Sequence, residues 1–148
     1  MNLKGHIKIF KGKELIFEKN NLIVDDGLDQ VAALLDGSSV VPIDGIEVGD
    51  SNTPAAATDT TLVSALSNLK KPIITTTNNI MNCASSWFAG QATGTWAELG
   101  LWTGTWVGPV FTKHKLLSRV ILDPVVIKAA GTELSATWII TVNRKTSI

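Results

Sequence analysis

The C-terminal part of the chain carries the pattern that most constrains the fold. Over residues 133–142 an apolar set alternates strictly with a mainly polar set; the apolar members are Leu134, Ala136, Trp138, Ile140 and Val142. Successive side chains of a strand point to opposite faces, so this segment predicts a strand with one buried and one exposed face. The chain therefore has to build a sheet that covers a core on one side.

Further short apolar or β-branched runs, separated by turn residues, predict more strands. Alternation over residues 3–10, a turn at residues 11–13 and a second run at residues 14–18 predict an N-terminal hairpin. Other candidate strands lie at residues 22–24, 46–48, 73–77, 80–90, 94–101, 110–122 and 125–128. We expect a mainly β fold, an antiparallel β-sandwich of the jelly-roll or immunoglobulin-like type.

One helix is predicted, near residues 27–36. Asp25 and Asp26 are candidate N-caps, and Gly37 is a candidate C-cap. Spacing of i, i+3, i+4 and i+7 joins four apolar residues into a stripe that we expect to lie across the sheet: Leu28, Val31, Ala32 and Leu35.

Residues 45–62 are predicted to connect the two sides of the fold, and the arrangement of the other elements depends on this connection. A short strand ends at Gly49, a turn cluster fills residues 50–54, and an Ala run leads to Leu62. We expect this segment to be a strand that continues as a long loop to the far side of the sandwich. The length of 148 residues predicts a single domain, residues 1–148, that ends in a loose polar tail at residues 144–148.

Composition removes several classes of function. Thirteen basic and thirteen acidic residues give zero formal charge, which leaves no electrostatic argument for a nucleic-acid partner. The single Cys83 predicts no disulfide framework and is expected to be a small buried group. The N-terminus lacks the apolar run of a signal peptide, and no run approaches the ~20 apolar residues of a membrane span. We expect synthesis in the cytoplasm and no membrane partner.

Few residues are suited to catalysis or metal binding. His6 and His114 lie far apart in sequence, and no metal-ligand, nucleophile or phosphate-loop motif accompanies them. We expect no enzyme activity, cofactor or metal. One alternative is a hydrolase of cell-wall sugars that depends on carboxylates alone, with Asp50, Asp59 or Glu98 as candidates.

Five Trp and no Tyr form an unusual aromatic set. Trp138, Trp87 and Trp96 fit core positions of the predicted strands. Trp102 and Trp106 are predicted in a Gly-flanked loop, where they fill the core, anchor a protein interface or stack on a glycan. They are the two candidate contact residues of this sequence.

The order of several motifs resembles a family of virus proteins. The segment Leu-Ile-Val-Asp-Asp-Gly-Leu-Asp-Gln-Val-Ala-Ala-Leu-Leu is followed by Ile-Glu-Val-Gly-Asp-Ser-Asn-Thr-Pro-Ala-Ala-Ala-Thr-Asp-Thr-Thr-Leu. Then come Trp-Ala-Glu-Leu-Gly-Leu-Trp from Trp96, Leu-Ser-Arg-Val from Leu117, and Leu-Ser-Ala-Thr-Trp-Ile-Ile-Thr-Val from Leu134. Together they resemble small virion structural proteins of tailed bacteriophages, either tail-fibre or baseplate-associated proteins or head fibre and decoration proteins. Trp102 departs from the family pattern, which more usually has Phe there.

The resemblance implies a non-enzymatic component of the virion that forms a homo-oligomer, often a trimer. The leading hypothesis is a structural protein that self-associates and docks on the tail or the major capsid protein, with a tail location slightly favoured. A capsid decoration or cement protein and a glycan-binding receptor module are the alternatives.

Overall fold

Strong β propensity dominates the chain, and one short helix interrupts it. The computed structural model describes residues 2–143; the predicted polar tail at residues 144–148 lies outside them. The elements are β1 (Asn2–Lys11), β2 (Glu14–Ile23), α1 (Asp25–Asp36), β3 (Ile43–Gly49), β4 (Ile73–Thr77), β5 (Ile80–Trp87), β6 (Gly94–Val107), β7 (Val110–Lys128) and β8 (Leu134–Asn143).

The strands form one curled sheet in the order β3-β6-β7-β2-β1-β8-β5-β4. Every neighbouring pair is antiparallel. The prediction of a mainly β, antiparallel fold with one helix near residues 27–36 is confirmed. The β-sandwich, with its jelly-roll or immunoglobulin-like subtype, is compatible with the curled sheet and stays a prediction. The N-terminal hairpin is also confirmed, with Ile9 of β1 opposite Phe17 of β2.

Buried side chains from both halves of the sheet form one core. Ile7 and Trp138, from β1 and β8, belong to the same cluster as Ile46 and Leu99, from β3 and β6. The sheet therefore curls so that its two halves pack against each other. The two halves join where β2 meets β7, through only two residue pairs, Leu22↔Arg119 and Ile23↔Ser118. The core placement of Trp87, Trp96 and Trp138 is confirmed, because each is fully buried.

The helix lies on β7 differently from the prediction. Its buried residues are Gly27 and Gln30. Of the expected apolar stripe, Val31 packs against the core, whereas Leu28 and Leu35 are 48% and 72% exposed. A Cβ at position 27 would stand 2.8 Å from the Cα of Leu117, so glycine permits a backbone approach that turns the helix onto this side.

The N-cap prediction was wrong, and the C-cap prediction is confirmed. Val24 occupies the N-cap position without a side-chain hydrogen bond, and Asp25 and Asp26 lie in the first turn. Their negative charges there interact favourably with the helix dipole, but their side chains do not cap the helix. Gly37 closes the helix in the left-handed conformation, with φ of 78°.

The connection from β3 to β4 runs from one end of the strand order to the other. This confirms that residues 45–62 are a strand that continues as a long crossing loop. On its way the chain covers the outer edge of β3: Leu66 donates to Val48 (2.8 Å), and Ile46 and Lys70 exchange backbone hydrogen bonds of 2.9 Å. The loop lies over β6, where Leu62 fills the space above Gly100.

Candidate binding surfaces

A buried ion pair between β6 and β7 fixes the crossing loop. Arg119 donates to Oε2 of Glu98 from Nε (2.8 Å) and from Nη2 (2.6 Å). Both side chains are 0% exposed. The backbone N–H groups of Val63 (3.2 Å) and Ser64 (2.8 Å) also donate to the Glu98 carboxylate. A buried charge requires this degree of pairing, because an unpaired one carries a large desolvation penalty.

The other donors of Arg119 reach further into the same loop. Nη1 donates to Oδ2 of Asp59 (3.0 Å) and to the carbonyl of Pro54 (3.3 Å), and Nη2 donates to the carbonyl of Thr53 (2.8 Å). The guanidinium therefore makes one hydrogen bond for each of its five N–H groups. Asp59 also accepts the N–H of Ala56 at 2.9 Å, which closes the turn.

The three carboxylates named as hydrolase candidates occupy different environments. Glu98 is fully buried, and both of its oxygens are engaged. Asp59 binds the same guanidinium, and Asp50 is exposed just after β3. A two-carboxylate hydrolase needs one acid and one base that face the substrate. The geometry gives Glu98 and Asp59 a structural role instead, since they hold the loop.

The tryptophan pair lies in a strand, so the prediction of a loop at residues 102–106 was wrong. β6 continues to Val107, with Trp102 opposite Leu116 and Trp106 opposite Phe111 on β7. The hairpin turn falls instead at Gly108 and the residue after it. Thr and Trp favour strands, and this preference outweighs the flanking glycines.

Trp102 forms the floor of a polar cluster. It is only 4% exposed, and its Nε1 donates to Oε1 of Glu47 at 3.2 Å. Lys113 lies with Nζ 4.6 Å from the centre of the Trp102 ring and 2.6 Å from Oε2 of Glu47. The indole is thus covered by a cation, and it offers no open face for a sugar.

Trp106 lines an open groove beside this cluster. Its ring is half-buried and lies 5.1 Å from the ring of Phe111, and its Nε1 donates to the carbonyl of Asp44 at 2.8 Å. The groove has a volume of about 470 Å³ and is bounded by Lys113 and Asn68. Of the two candidate contact residues, Trp106 alone therefore faces a space that a ligand can enter.

A second surface lies at the end of the sheet where β1 begins and β8 ends. Antiparallel order brings the ends of β2 and β8 and the start of β5 to this end, where β2 meets the middle of β7 at Ser118 and Arg119. We call it the apolar end, because large exposed apolar side chains lie there: Leu22, Leu28, Leu35, Ile80 and Val142.

Two cavities open at the apolar end. One, of about 520 Å³, is lined by Leu22, Leu28 and Leu35, and the other, of about 480 Å³, reaches Val142. They share Leu3, Ile23 and Val31, so they adjoin each other, and we call the two together the apolar depression. Exposed apolar patches of this kind mark interaction sites on proteins.

Two ionisable groups outside these surfaces, Cys83 and Lys128, are buried inside the protein. Burial raises the pKa of the Cys83 thiol to about 12. Lys128 is 1% exposed and donates to the carbonyl of Phe88 at 2.8 Å; burial lowers its pKa, and the charge of Glu133 opposes that shift. Within residues 2–143 no group of three or more His, Cys, Asp or Glu side chains is placed to hold a metal ion. His6 lies beside Asn20, and His114 beside Gln30.

None of the helices formed by residues 2–143 combines the length and apolar character that crossing a membrane requires. Comparisons with protein-family models, curated proteins and solved structures found no match to this chain.

Sequence reasoning did not identify Arg119, Glu47, Lys113 and Phe111 as parts of these sites. A signal existed for Arg119, because it interrupts an apolar run of β7 while Glu98 interrupts one of β6. Opposite charges inside two neighbouring apolar strands indicate a buried pair. No comparable signal marks Glu47, whose partners come from a different part of the chain.

Proposed function

We propose that this protein is a structural component of a tailed-bacteriophage virion that self-associates and docks on other virion proteins. The observation that carries the proposal is the apolar end, where exposed Leu and Val side chains border the apolar depression. Burial of such a surface stabilises a complex by about 25 cal/mol per Å² of apolar area removed from water. The order of sequence motifs supports the choice of a virion as the place of docking.

The crossing loop supports a role as a rigid building block. The paired side chains of Arg119 and Glu98 bind the backbone of residues 53–64 and fix this part of the loop to the sheet. This keeps the apolar end on a pre-organised scaffold, and pre-organisation lowers the entropy cost of docking. The partner is a tail protein in the favoured form of the proposal. In the alternative form it is the major capsid protein, which would make the chain a decoration or cement protein.

Immunogold electron microscopy of purified phage particles tests the proposal. Label at the tail or its tip supports the favoured form, and label at many regular positions on the head supports the decoration form. Particles that carry no label, although the antibody detects the protein in the infected-cell lysate, would refute a virion role.

Rebinding to particles then tests the apolar end. Leu35→Lys places a charge on a side chain that is 72% exposed, so we expect folding to survive and particle binding to fall at least tenfold. Ile127→Lys is the matched control, because Ile127 is 65% exposed near the end of β7, ten residues along the strand from Leu117, which lines the depression. Equal loss in both variants would argue against the apolar end as the docking surface.

Glycan binding is a second candidate, and the groove beside Trp106 and Phe111 favours it. Aromatic rings stack on the apolar faces of sugars, and Lys113 and Asn68 at the border offer hydrogen bonds. A glycan array with wild type and Trp106→Ala decides the matter. Binding that disappears in the variant supports this function, whereas no binding by wild type, or binding unaffected in the variant, ends it.

A further inference from the structure

The two edges of the sheet differ in how they are protected. The edge of β3 is covered by residues 65–70 of the crossing loop, through bridges between Ile46 and Lys70 and between Gly49 and Ala65. At the other end of the strand order, β4 pairs with β5 alone among residues 2–143. Free edges present unpaired N–H and C=O groups, which proteins usually shield with charges, proline or bulges.

The sequence of β4 contains none of those shields. It reads Ile-Ile-Thr-Thr-Thr, and all five residues are exposed. β-Branched residues stabilise extended backbone, so the strand keeps its shape without a second neighbour. Its ladder with β5 is regular from Ile73↔Ala84 to Thr77↔Ile80, without a bulge to twist the edge away.

The hairpin that joins β4 and β5 determines which backbone groups face outward. Thr77 and Ile80 close a two-residue turn, so this pair exchanges both of its hydrogen bonds. Hydrogen-bonded and non-hydrogen-bonded pairs alternate along an antiparallel ladder. Thr75 and Ile73 therefore also bond to β5, and the N–H and C=O groups of Ile74 and Thr76 point to the open side.

From this we infer that β4 pairs antiparallel with β4 of a second copy of the chain, about a two-fold axis at Thr75. Ile74 of one copy then lies opposite Thr76 of the other, and each of these pairs exchanges two hydrogen bonds. Thr75 faces its own equivalent as the non-hydrogen-bonded pair, where side chains come closest. Every outward backbone group of Ile74 and Thr76 gains a partner.

Charge placement favours the antiparallel arrangement. Lys71 just precedes the strand, and in this register it faces Asn79 of the second copy. A parallel pairing in register would set Lys70 and Lys71 beside the same residues of the other chain, where like charges repel. The inference deepens the self-association part of the proposed function, and it concerns only contacts between copies of this chain.

The contact is small, so the pairing is expected to be reversible. Stable interfaces bury more than about 1,000 Å² in total, and a five-residue strand pair buries less. We expect a monomer–dimer equilibrium that shifts with protein concentration in solution. On a particle, docking raises the local concentration of copies and favours the dimer.

Sedimentation equilibrium over a range of protein concentrations tests the inference through two opposite charges. Thr75→Lys sets two lysines face to face across the axis, so we expect the dissociation constant of the dimer to rise at least tenfold. Thr75→Glu sets two glutamates face to face, and we expect the same effect. A mixture of the two variants places Lys opposite Glu, and we expect dimers to return. Thr112→Lys, an exposed threonine of β7, is the matched control and leaves the dimer unchanged.

Thr76→Pro gives an independent variant. The substitution removes an N–H that points away from β5, so the fold of each copy tolerates it. Both copies of the dimer carry the change, and the pair therefore loses two of its four hydrogen bonds. Circular dichroism confirms folding of each variant. A wild type that stays monomeric at all concentrations, a trimer, or an oligomer unaffected by Thr75→Lys would overturn the inference. Each of these results leaves virion docking to be decided by the particle labelling.

Discussion

Arg119 and Glu98 meet without any exposed surface, joined by hydrogen bonds of 2.8 Å and 2.6 Å to a single carboxylate oxygen. The ladder sets Arg119 opposite Gly100, while Glu98 lies opposite Ile121. The pair is therefore diagonal across two strands, and the missing side chain at Gly100 leaves room for Leu62 above it. One ion pair thus links the sheet to the loop that crosses from one sheet edge to the other.

Removal of the arginine is expected to be costly. Arg119→Met leaves the buried carboxylate of Glu98 without its cation, so the free energy of unfolding should fall by about 3–5 kcal/mol. Urea denaturation followed by tryptophan fluorescence measures the change. Lys71→Met is the matched control, since Lys71 is 63% exposed and lies 3.8 Å from Asp44; loss of a surface pair costs about 0–1 kcal/mol. Equal costs in the two variants would contradict a buried role.

The same substitution should also free the crossing loop. Arg119→Met removes the hydrogen bonds to the carbonyls of Thr53 and Pro54, so residues 53–59 lose their main attachment to β7. Limited proteolysis under native conditions should then cut within residues 50–72 faster than in wild type. Cleavage that starts elsewhere first would mean that other contacts, such as Leu62 on Gly100, hold the loop.

Gly27 tests the close approach of the helix to β7. In Gly27→Ala the new methyl would collide with the backbone of Leu117, so we expect a loss of about 1–3 kcal/mol. Helix propensity alone predicts the opposite sign, a gain of about 0.5–1 kcal/mol. Gly131→Ala is the control, because nothing lies within 4 Å of its added methyl. Thermal unfolding of both variants gives the comparison, and a stabilised Gly27→Ala would refute the close contact.

The thiol of Cys83 should be unreactive in the folded protein. Burial raises its pKa from 9.0 to about 12, so the thiolate is scarce at pH 8. We expect negligible alkylation by iodoacetamide at pH 8 without denaturant and rapid alkylation in guanidinium chloride. Because the folded pKa lies above the unfolded one, the stabilisation is complete below about pH 9 and is lost as the pH rises towards 12.

Cys83→Ala removes this titration. Its free energy of unfolding should therefore fall less steeply between pH 9 and pH 11 than that of wild type, although the smaller side chain lowers stability at every pH. Rapid labelling of the native protein, or identical pH slopes for the two proteins, would show that the thiol is accessible.

Period-two patterns predicted the antiparallel sheet because side-chain alternation is a local property of the chain. The helix at residues 25–36 was predictable for the same reason, but its orientation was not. Its apolar stripe includes Leu35, yet the close approach of Gly27 to Leu117 and the hydrogen bond between Gln30 and His114 of β7 (3.1 Å) turn another side to β7. Tertiary contacts of this kind have no signature in local spacing.

The candidate site was predicted less well, for a related reason. Counting from the turn after Val107 places Glu98 opposite Arg119, but irregularities such as that between Trp96 and Glu98 shift the register and make the pair diagonal. Bulges are not visible in residue patterns. Likewise, the glycines beside Trp102 suggested a loop, whereas the pairing of β6 with β7 decides that this segment is a strand.

The two candidate tryptophans should differ in their contribution to stability. Trp102→Phe leaves Oε1 of the buried Glu47 without its indole donor and alters the surface under Lys113, so we expect a loss of about 1–3 kcal/mol. Trp106→Phe loses one hydrogen bond, to Asp44, at the side of an open groove, and should cost about 0.5–1.5 kcal/mol.

Urea denaturation followed by circular dichroism compares these two variants, because its signal does not depend on the removed indole. Acrylamide should quench the fluorescence that Trp106 contributes more efficiently than the fluorescence of Trp102, which is 4% exposed. Single-variant difference spectra separate the two contributions. If Trp106→Phe proved the more destabilising, Trp106 would be a core residue, and the groove beside it would lose its aromatic platform for a sugar.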